Sequence, residues 1–600
     1  MTTPTARALL TPWGETVDRE CPLPDYPRPQ LERDSYLCLN GTWDFAITSS
    51  HDPPATYAGT ILVPFSPESL LSGVGHVLQP DEVLHYRRSF RLPPGFVTHW
   101  DDRVLLHFGA VDQWCRVQVN GHVVGEHSGG YLPFAVDVTS VLRKGPNEVR
   151  VVVRDPSDTG LGSRGKQRLD RGGIWYTPQS GIWQTVWLES VPAVHVERLS
   201  IVPDLDAGAL DVTVHVLDRR RRRQRDDEHL CTVTVLADGT RVGSARGAAG
   251  EPVRVSIPQP RPWSPDDPYL YDLEVGVGRD RIRSYAGLRS FGLGPDADGT
   301  PRLLLNGRPF FHAGVLDQGY WSDGMYTAAS DEALVHDVAT MKRLGFTMIR
   351  KHIKVEPLRW YYHCDRLGML VWQDMVNGGG RYRPAVVTTP AMAPVHLPDH
   401  RYALFARSDA AGRRDWLREM RETVEHLGNV VSLAMWVPFN EGWGQFDAAW
   451  VAEQVRRLDP TRTVDHASGW HDQGAGDVTS RHVYFRPFRV PRRRPGTAHR
   501  ALGLTEYGGY SLHVPEHSAS ATAFGYRRFD STAALAEAFT ALHAEQVVPA
   551  ITEGLSASVY TQVSDVEDET NGLLTYDRRV EKLPAEVVKA VTAQLRLPPY

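Results

Sequence analysis

The sequence predicts two antiparallel β-sandwiches followed by a (β/α)8 barrel, on three observations. Up to about residue 300, short apolar runs with period two are separated by turn residues. Beyond it, such runs alternate with segments of helical period. The length, 600 residues, exceeds what one hydrophobic core organises. The apolar fraction of 41% and charged fraction of 23% fit an ordinary globular chain and exclude a disordered, collagenous or coiled-coil one. A net charge of −6 gives no global attraction for nucleic acid or an anionic membrane.

In the first half, residues 104–107, 115–119, 123–125, 148–153, 186–188 and 212–216 read as strands, with Asn120-Gly121 as a hairpin turn. Some 300 residues are too many for one sandwich, so the boundary is placed after Trp187-Leu188-Glu189. The expected domains are residues 1–190, 191–295 and 296–600. In the last of these, 302–305 and 309–314 read as strands. Ser330 is a candidate N-cap for a helix carrying Leu334, Val338, Met341 and Leu344, stopped by Gly345. Strands then follow at 346–350, 369–373, 431–438, 502–506 and 557–562, with helices at 357–367, 415–426, 450–458 and 533–545 between them. This alternation implies a parallel sheet, and no glycine-rich phosphate loop supports a doubly wound one.

The Gly- and Pro-rich stretch 377–400 follows a strand and is expected to overhang the C-terminal face of the barrel. Residues 486–500, with six Arg and three Pro, read as a solvated loop, and the five-Arg run 219–223 as a solvated hairpin tip. Sixteen Trp are numerous, and most are expected in cores. Five scattered Cys without a C-x-x-C pair form neither a disulfide framework nor a zinc module. The first 13 residues lack a basic segment followed by an apolar run, and no stretch approaches 18 uninterrupted apolar residues. A cytoplasmic location is expected.

Barrel chemistry sits at strand C-termini. Two carboxylates stand there: Glu441, closing Trp436-Val437-Pro438-Phe439-Asn440-Glu441, and Glu506, closing Leu504-Thr505-Glu506. Such a pair suits glycoside hydrolysis, in which one protonated carboxyl assists the leaving oxygen and one carboxylate attacks or activates water. Proximity is expected to supply the asymmetry, by raising the pKa of one of the two. Asn440 is placed to bond a sugar hydroxyl and Tyr507 to orient a carboxylate. Asp374, Asp565, Glu567, Asp568 and Glu569 are competing acids, with Asp374 a substrate contact. His312, His352 and His482 are core or site residues, and position favours the site for His352. His513-Val514-Pro515-Glu516-His517 matches H-x-x-E-H, but Pro515 argues against the helix a metal site would need.

With these residues in place, the chain resembles glycoside hydrolase family 2, the β-galactosidases, β-glucuronidases and β-mannosidases. The likeness lies in Leu39-Asn40-Gly41-Thr42-Trp43-Asp44-Phe45, His85-Tyr86-Arg87-Arg88-Ser89-Phe90, Val119-Asn120-Gly121-His122 and Ser180-Gly181-Ile182-Trp183-Gln184. It continues in Trp263-Ser264-Pro265-Asp266-Asp267-Pro268-Tyr269-Leu270-Tyr271, Leu344-Gly345-Phe346 through His352, Cys364-Asp365-Arg366-Leu367-Gly368, Asn440-Glu441 and Thr505-Glu506-Tyr507-Gly508. The resemblance implies a jelly-roll sugar-binding-like domain (1–190), an immunoglobulin-like β-sandwich (191–295) and a catalytic TIM barrel (296–600). It further implies an exo-acting retaining β-glycosidase, β-galactosidase-like, with Glu506 as nucleophile and Glu441 as acid/base.

Asn440 would hold the sugar 2-hydroxyl, Tyr484 would contact the nucleophile and His352 would lie in the glycone pocket. Trp470 and Asp317 complete the expected substrate-binding set. Alternatives are a glucuronide, mannoside or pentoside (arabinoside) specificity and, from another class, a non-catalytic carbohydrate-binding protein. The glucuronidase Asn-x-Lys motif is not evident; Arg500 and Lys354 are the candidate replacements. The expected partner is a carbohydrate substrate, with no metal, cofactor, nucleic acid or membrane, and a homo-oligomer as the assembly.

Overall fold

The computed structural model describes residues 9–220, 229–393, 395–492, 498–521 and 523–597. The period-two runs of the first half become antiparallel strands whose alternate residues are buried, as in Trp114–Val119. A six-stranded sheet, ordered Gly59–Val63, Gly41–Thr48, Val83–Phe90, Asn147–Arg154, Trp114–Val119 and His122–Ser128, faces a four-stranded one built on Val186–Val191 and Arg103–Phe108. Trp43, Phe45, Tyr86, Leu106, Phe108, Val117 and Val151 fill the space between them. A second sandwich begins at Val194, with sheets of three and four strands around Val212, Val233, Leu273 and Val275. Of the arginine-rich hairpin, only Arg219 and Arg220 lie within the described residues; likewise 493–497 of the second basic loop lie outside them.

Eight parallel strands follow: β1 (His312–Asp317), β2 (Met348–Lys351), β3 (Leu370–Asp374), β4 (Leu433–Val437), β5 (Thr463–Val464), β6 (Val478–Val483), β7 (Ala501–Gly508) and β8 (Leu555–Thr561). They hydrogen-bond in the order β5-β4-β3-β2-β1-β8-β7-β6, a barrel closed except between β5 and β6. Helices α1 (Asp331–Arg343), α2 (Leu358–Leu367), α3 (Ala410–Leu427), α4 (Ala448–Leu458) and α5 (Thr532–Leu542) cover its outside. Ser330 does cap α1, accepting from the Ala333 amide at 3.3 Å.

Alternation along the strands separates two environments. Leu316, Met348, Leu370, Trp372, Met435, Val437 and Val559 pack in one cluster inside the barrel. Val315, Ile349, Val371, Trp436, Leu504 and Tyr560 belong to the cluster that the helices cover. β5 and β6 are absent from the expected strands. β5 is two residues long, and β6 (Val-Thr-Ser-Arg-His-Val) carries polar residues inward, so neither presents an apolar run.

Gly368 ends α2 with φ +72°, and a Cβ there would lie 2.4 Å from the Pro265 carbonyl, in the connection between the second-sandwich strands Pro252–Ser256 and Tyr271–Val277. Gly368→Ala is therefore expected to cost about 1–3 kcal/mol. It should lower the midpoint of barrel unfolding followed by near-UV circular dichroism; an unchanged midpoint would contradict the packing described.

Candidate active site

The inward positions of the barrel end in polar side chains. Arg350 on β2 is fully buried and binds both oxygens of Asp374 (2.9 and 3.0 Å), the Asn440 side-chain oxygen (2.8 Å), the Thr505 carbonyl (3.0 Å) and Glu506 Oε1 (3.2 Å). Glu441 lies past the end of β4 in a left-handed conformation (φ +51°), its amide bonded to the Ser468 carbonyl at 2.9 Å. Gly442 and Gly444 follow, both with positive φ; a Cβ at 444 would lie 2.2 Å from the Gly378 carbonyl. Gly444 lets the loop after β4 pack against the 377–400 stretch, and Gly442 makes room for the His471 ring, 2.7 Å from where a Cβ would lie. Glu506 sits where the registers of β7 with β8 and β6 slip, between Leu504 and Tyr507 on one side and Arg481 and His482 on the other. The irregularity brings both Thr505 and Glu506 to the inside, which strict alternation would forbid.

Glu441, His482 and Glu506 meet there, with one ligand-type atom of each within 4.8 Å of the others. His482 Nδ1 stands 2.8 Å from Glu441 Oε1 and 3.5 Å from Glu506 Oε2. Gly469 allows this ring to approach, since a Cβ there would lie 2.8 Å from Nδ1. Tyr484 donates to Glu506 Oε2 at 2.6 Å and stacks on Tyr526 at 3.8 Å. Burial pushes the Glu441 carboxyl up to about 8, opposed by Lys166 and Arg350 and aided by Glu569. The asymmetry thus comes from desolvation, correcting the expectation that a neighbouring carboxylate supplies it. Burial also pushes His482 down to about 4, leaving a neutral ring at neutral pH.

Other expected residues fall into two groups. Asn440 spends its carbonyl oxygen on Arg350, and its buried Nδ2 has no acceptor among the described residues. His352 holds Asp374 through Nδ1 at 2.7 Å. Trp470 is partly exposed at the rim and donates to the Glu441 carbonyl at 2.9 Å.

Two assignments are corrected. Tyr507 points outward and bonds His543 at 2.8 Å, among the helix-facing residues, so it cannot orient Glu506. Asp317 also faces the helices, bound to Lys351 Nζ at 2.5 Å and to the Gly319 amide at 2.8 Å. Lys354 is committed to Glu356 and two carbonyls, and Arg500 to Asp472 and the Val478 carbonyl, so neither replaces the missing lysine. Asp565 is paired with Lys582, Glu567 and Asp568 with Arg171, and Glu569 with Tyr176. His312 accepts from Trp372 inside the barrel. Pro515–His517 is a single 3-10 turn, and no second trio of His, Cys, Asp or Glu gathers as closely among the described residues.

The first sandwich also contributes. Its segment 155–180 crosses to the barrel mouth, where Ser163 bridges to Gly378 and the Thr177 amide donates to Glu567 at 3.1 Å. It delivers Trp175, its ring tilted 38° against that of Trp443 at 5.3 Å, and Lys166, whose Nζ lies 5.5 Å from the Tyr176 ring centre and 5.7 Å from that of Trp443. Lys166 is buried and has no carboxylate within ion-pair distance among the described residues, yet it acts electrostatically on Glu441 and His352. Neither Lys166 nor Arg350 was singled out from the sequence; no local motif marks them.

Three family models match successive parts of the chain: the galactose-binding domain-like model of glycosyl hydrolase 2 over residues 78–179, glycosyl hydrolases family 2 over 194–289, and the TIM barrel domain of that family over 299–490. The β-galactosidase of Psychromonas ingrahamii is 26% identical over 412 residues, 66% of this chain and 36% of that protein; that of Pectobacterium atrosepticum is 28% identical over 416 residues, again 66% and 36%. This chain therefore matches only about a third of the length of those relatives. The fold is that of the β-D-glucuronidase of Dictyoglomus thermophilum (TM-score 0.70, 17% identity, 95% of this chain and 98% of that one) and a β-galacturonidase of Eisenbergiella tayi bound to galacturonate (0.67, 19%, 93% and 97%). With all three domain models of one family matched in order along it, the chain belongs to glycosyl hydrolase family 2.

Proposed function

We propose that the protein is an exo-acting retaining β-glycosidase, on one observation above the others: two carboxyls with oxygens within 4.8 Å of each other. Retaining enzymes hold the pair about 5 Å apart, whereas inverting ones leave about 6.5–9.5 Å for a water. Glu506 attacks the anomeric carbon as the C–O bond to the leaving group breaks, and the Glu441 proton passes to the departing oxygen. Water then attacks the glycosyl-enzyme, its proton returns to Glu441, and Glu506 leaves with net retention. Asn440 offers Nδ2 to the sugar 2-hydroxyl, Tyr484 holds Glu506, and His352 and Trp470 border the sugar. The neutral galactoside is the first reading of the glycone.

A uronide is the second reading, favoured by Lys166: a buried cation beside the site, with no carboxylate partner among the described residues, suits an anionic sugar. Wild-type hydrolysis of nitrophenyl glucuronide or galacturonide, reduced by Lys166→Met about 10–100-fold more in kcat/KM than galactoside hydrolysis is, would support it. No uronide turnover in wild type removes it.

Glu506→Ala should lower kcat on an aryl β-glycoside by at least about 10⁴-fold while circular dichroism is retained. Added azide should restore turnover and yield the α-glycosyl azide; full activity of the variant would eliminate Glu506 as nucleophile. A wild type that binds sugars and hydrolyses none across a nitrophenyl glycoside panel would leave a carbohydrate-binding protein.

Glu441, held at about 8, sets the basic limb of the kcat/KM profile near that pH. Its folded pKa exceeds its unfolded one, so its contribution to stability is full below about 4.5 and is lost as pH rises through about 8. Glu441→Gln removes that loss. Differential scanning calorimetry should show the Tm of the variant, relative to wild type, rising from pH about 5 to about 9; a constant difference would refute the raised acid.

A further inference from the structure

Beneath the two carboxyls runs a chain of hydrogen bonds that the proposed mechanism leaves unused. His482 presents Nδ1 to Glu441 Oε1 and Nε2 to Ser468 Oγ at 3.1 Å. Ser468 Oγ meets Thr505 Oγ1 at 3.1 Å, and Thr505 Oγ1 meets Ser480 Oγ at 3.1 Å. Ser480 Oγ bonds Asp465 Oδ2. All five lie buried in the barrel interior, and Asp465, just beyond β5, is completely enclosed, its Oδ1 without a hydrogen-bond partner among the described residues. The path runs from β5 through β6 and β7 to the loop after β5 and back to β6, crossing the open seam of the barrel.

Resting on the glycosidase reading above, we propose that Asp465 is a positioning residue that acts through Ser480, Thr505 and Ser468 to choose which nitrogen of His482 carries the proton facing Glu441. Each hydroxyl has one proton, and the Arg481 carbonyl, at 3.4 Å from Thr505 Oγ1, is farther than Ser480 Oγ at 3.1 Å, so the direction of the chain is set from its ends. With Asp465 ionised, Ser480 donates to it, Thr505 to Ser480 and Ser468 to Thr505. Ser468 then accepts from His482 Nε2–H, and Nδ1 is left as a lone pair. A lone pair 2.8 Å from Glu441 Oε1 demands the proton on Glu441, which keeps that carboxyl neutral and ready as an acid. The opposite polarity transfers the Glu441 proton to Nδ1, passes one proton along each link and ends with it on Asp465 Oδ2. No charge is gained or lost; it moves from Asp465 to Glu441. The chain thereby ties the acid to a carboxylate that never meets substrate.

Other charged and titratable groups also face the two ends. Glu441 feels Lys166, Arg350, Glu569, Tyr484 and Tyr526, and Glu506 lies within 4.8 Å of it; His482 feels Glu506, Arg350, Asp465 and Asp374; Asp465 feels Arg350, Arg500 and His466. Cutting the chain leaves all of these in place, so its contribution can be isolated.

Thr505→Val and Ser480→Ala each cut it, at positions adjoining and remote from Glu506. Each is expected to move the basic limb of kcat/KM down by about one pH unit, a tenfold change in proton affinity. Each should also reduce kcat on substrates with poor leaving groups about tenfold, with little effect on dinitrophenyl glycosides, which need no protonation. Thr505→Ser should restore both. The double variant should be no worse than either single one, because a chain cut once carries nothing further to lose. A basic limb unmoved in both single variants, or additive losses in the double one, would overturn the proposal. Should no glycoside be hydrolysed, the pH dependence of Tm against Glu441→Gln still reports the Glu441 proton: it shifts in Ser480→Ala if the chain acts, and stays fixed if it does not.

Discussion

The guanidinium of Arg350 is the constraint on which the barrel mouth depends. Stripped of water in the centre of the fold, it can remain charged only among close acceptors, and it makes five hydrogen bonds to three segments: Asp374 twice, Asn440, and the Thr505 carbonyl with Glu506. Its planar fork fixes these acceptors relative to one another in a way a lysine could not. Asp374 is thereby a partner of Arg350 and His352, which explains a buried acid at a strand end that does no chemistry in the proposed cycle. Removing one member would leave the rest as uncompensated buried charge, so the cluster stands or falls together.

The second structural element is the arm from the first sandwich. A barrel alone offers an open rim, and the 155–180 segment walls one side of it with Trp175, Tyr176 and Lys166. Its attachment is polar and specific: Arg171 to Glu567 and Asp568, Tyr176 to Glu569, Ser163 to Gly378. The acidic stretch 565–569, read from the sequence as a competing catalytic group, is largely a dock for this arm. That ties one side of the barrel mouth to the N-terminal domain, so in the proposed function the sandwich takes part in recognition as well as in the scaffold.

Much of this was legible in the residues, and the exceptions have physical causes. Strands with apolar runs were readable, as was the N-cap at Ser330; β5 and β6 were not, being two residues long and polar inside. Glu441 and Glu506 were readable as acids closing apolar runs, and the structure brings them together. Tyr507 was misplaced because adjacency in sequence was taken for adjacency in space, and Asp317 because a strand end was not sorted by face: neighbouring residues of a strand face opposite ways, and only an irregularity such as that at Glu506 breaks the rule. Lys166 and Arg350 carried no local signal, since their meaning comes from partners in other segments.

The origin of the acid's neutrality has a consequence for the whole arrangement. A proton raised by mutual repulsion would depend on the charge of Glu506, and would be lost once that carboxylate became a glycosyl ester. Desolvation does not vanish at that point. With burial as the main cause, Glu441 keeps a high proton affinity through the second half of the proposed cycle, when it must take a proton from water. The neighbouring cations Lys166 and Arg350 then limit how far the affinity rises, holding it near the pH range in which one group can both give and receive a proton. An apolar enclosure moderated by two fixed charges therefore suits a residue that alternates between acid and base better than a bare pair of carboxylates would.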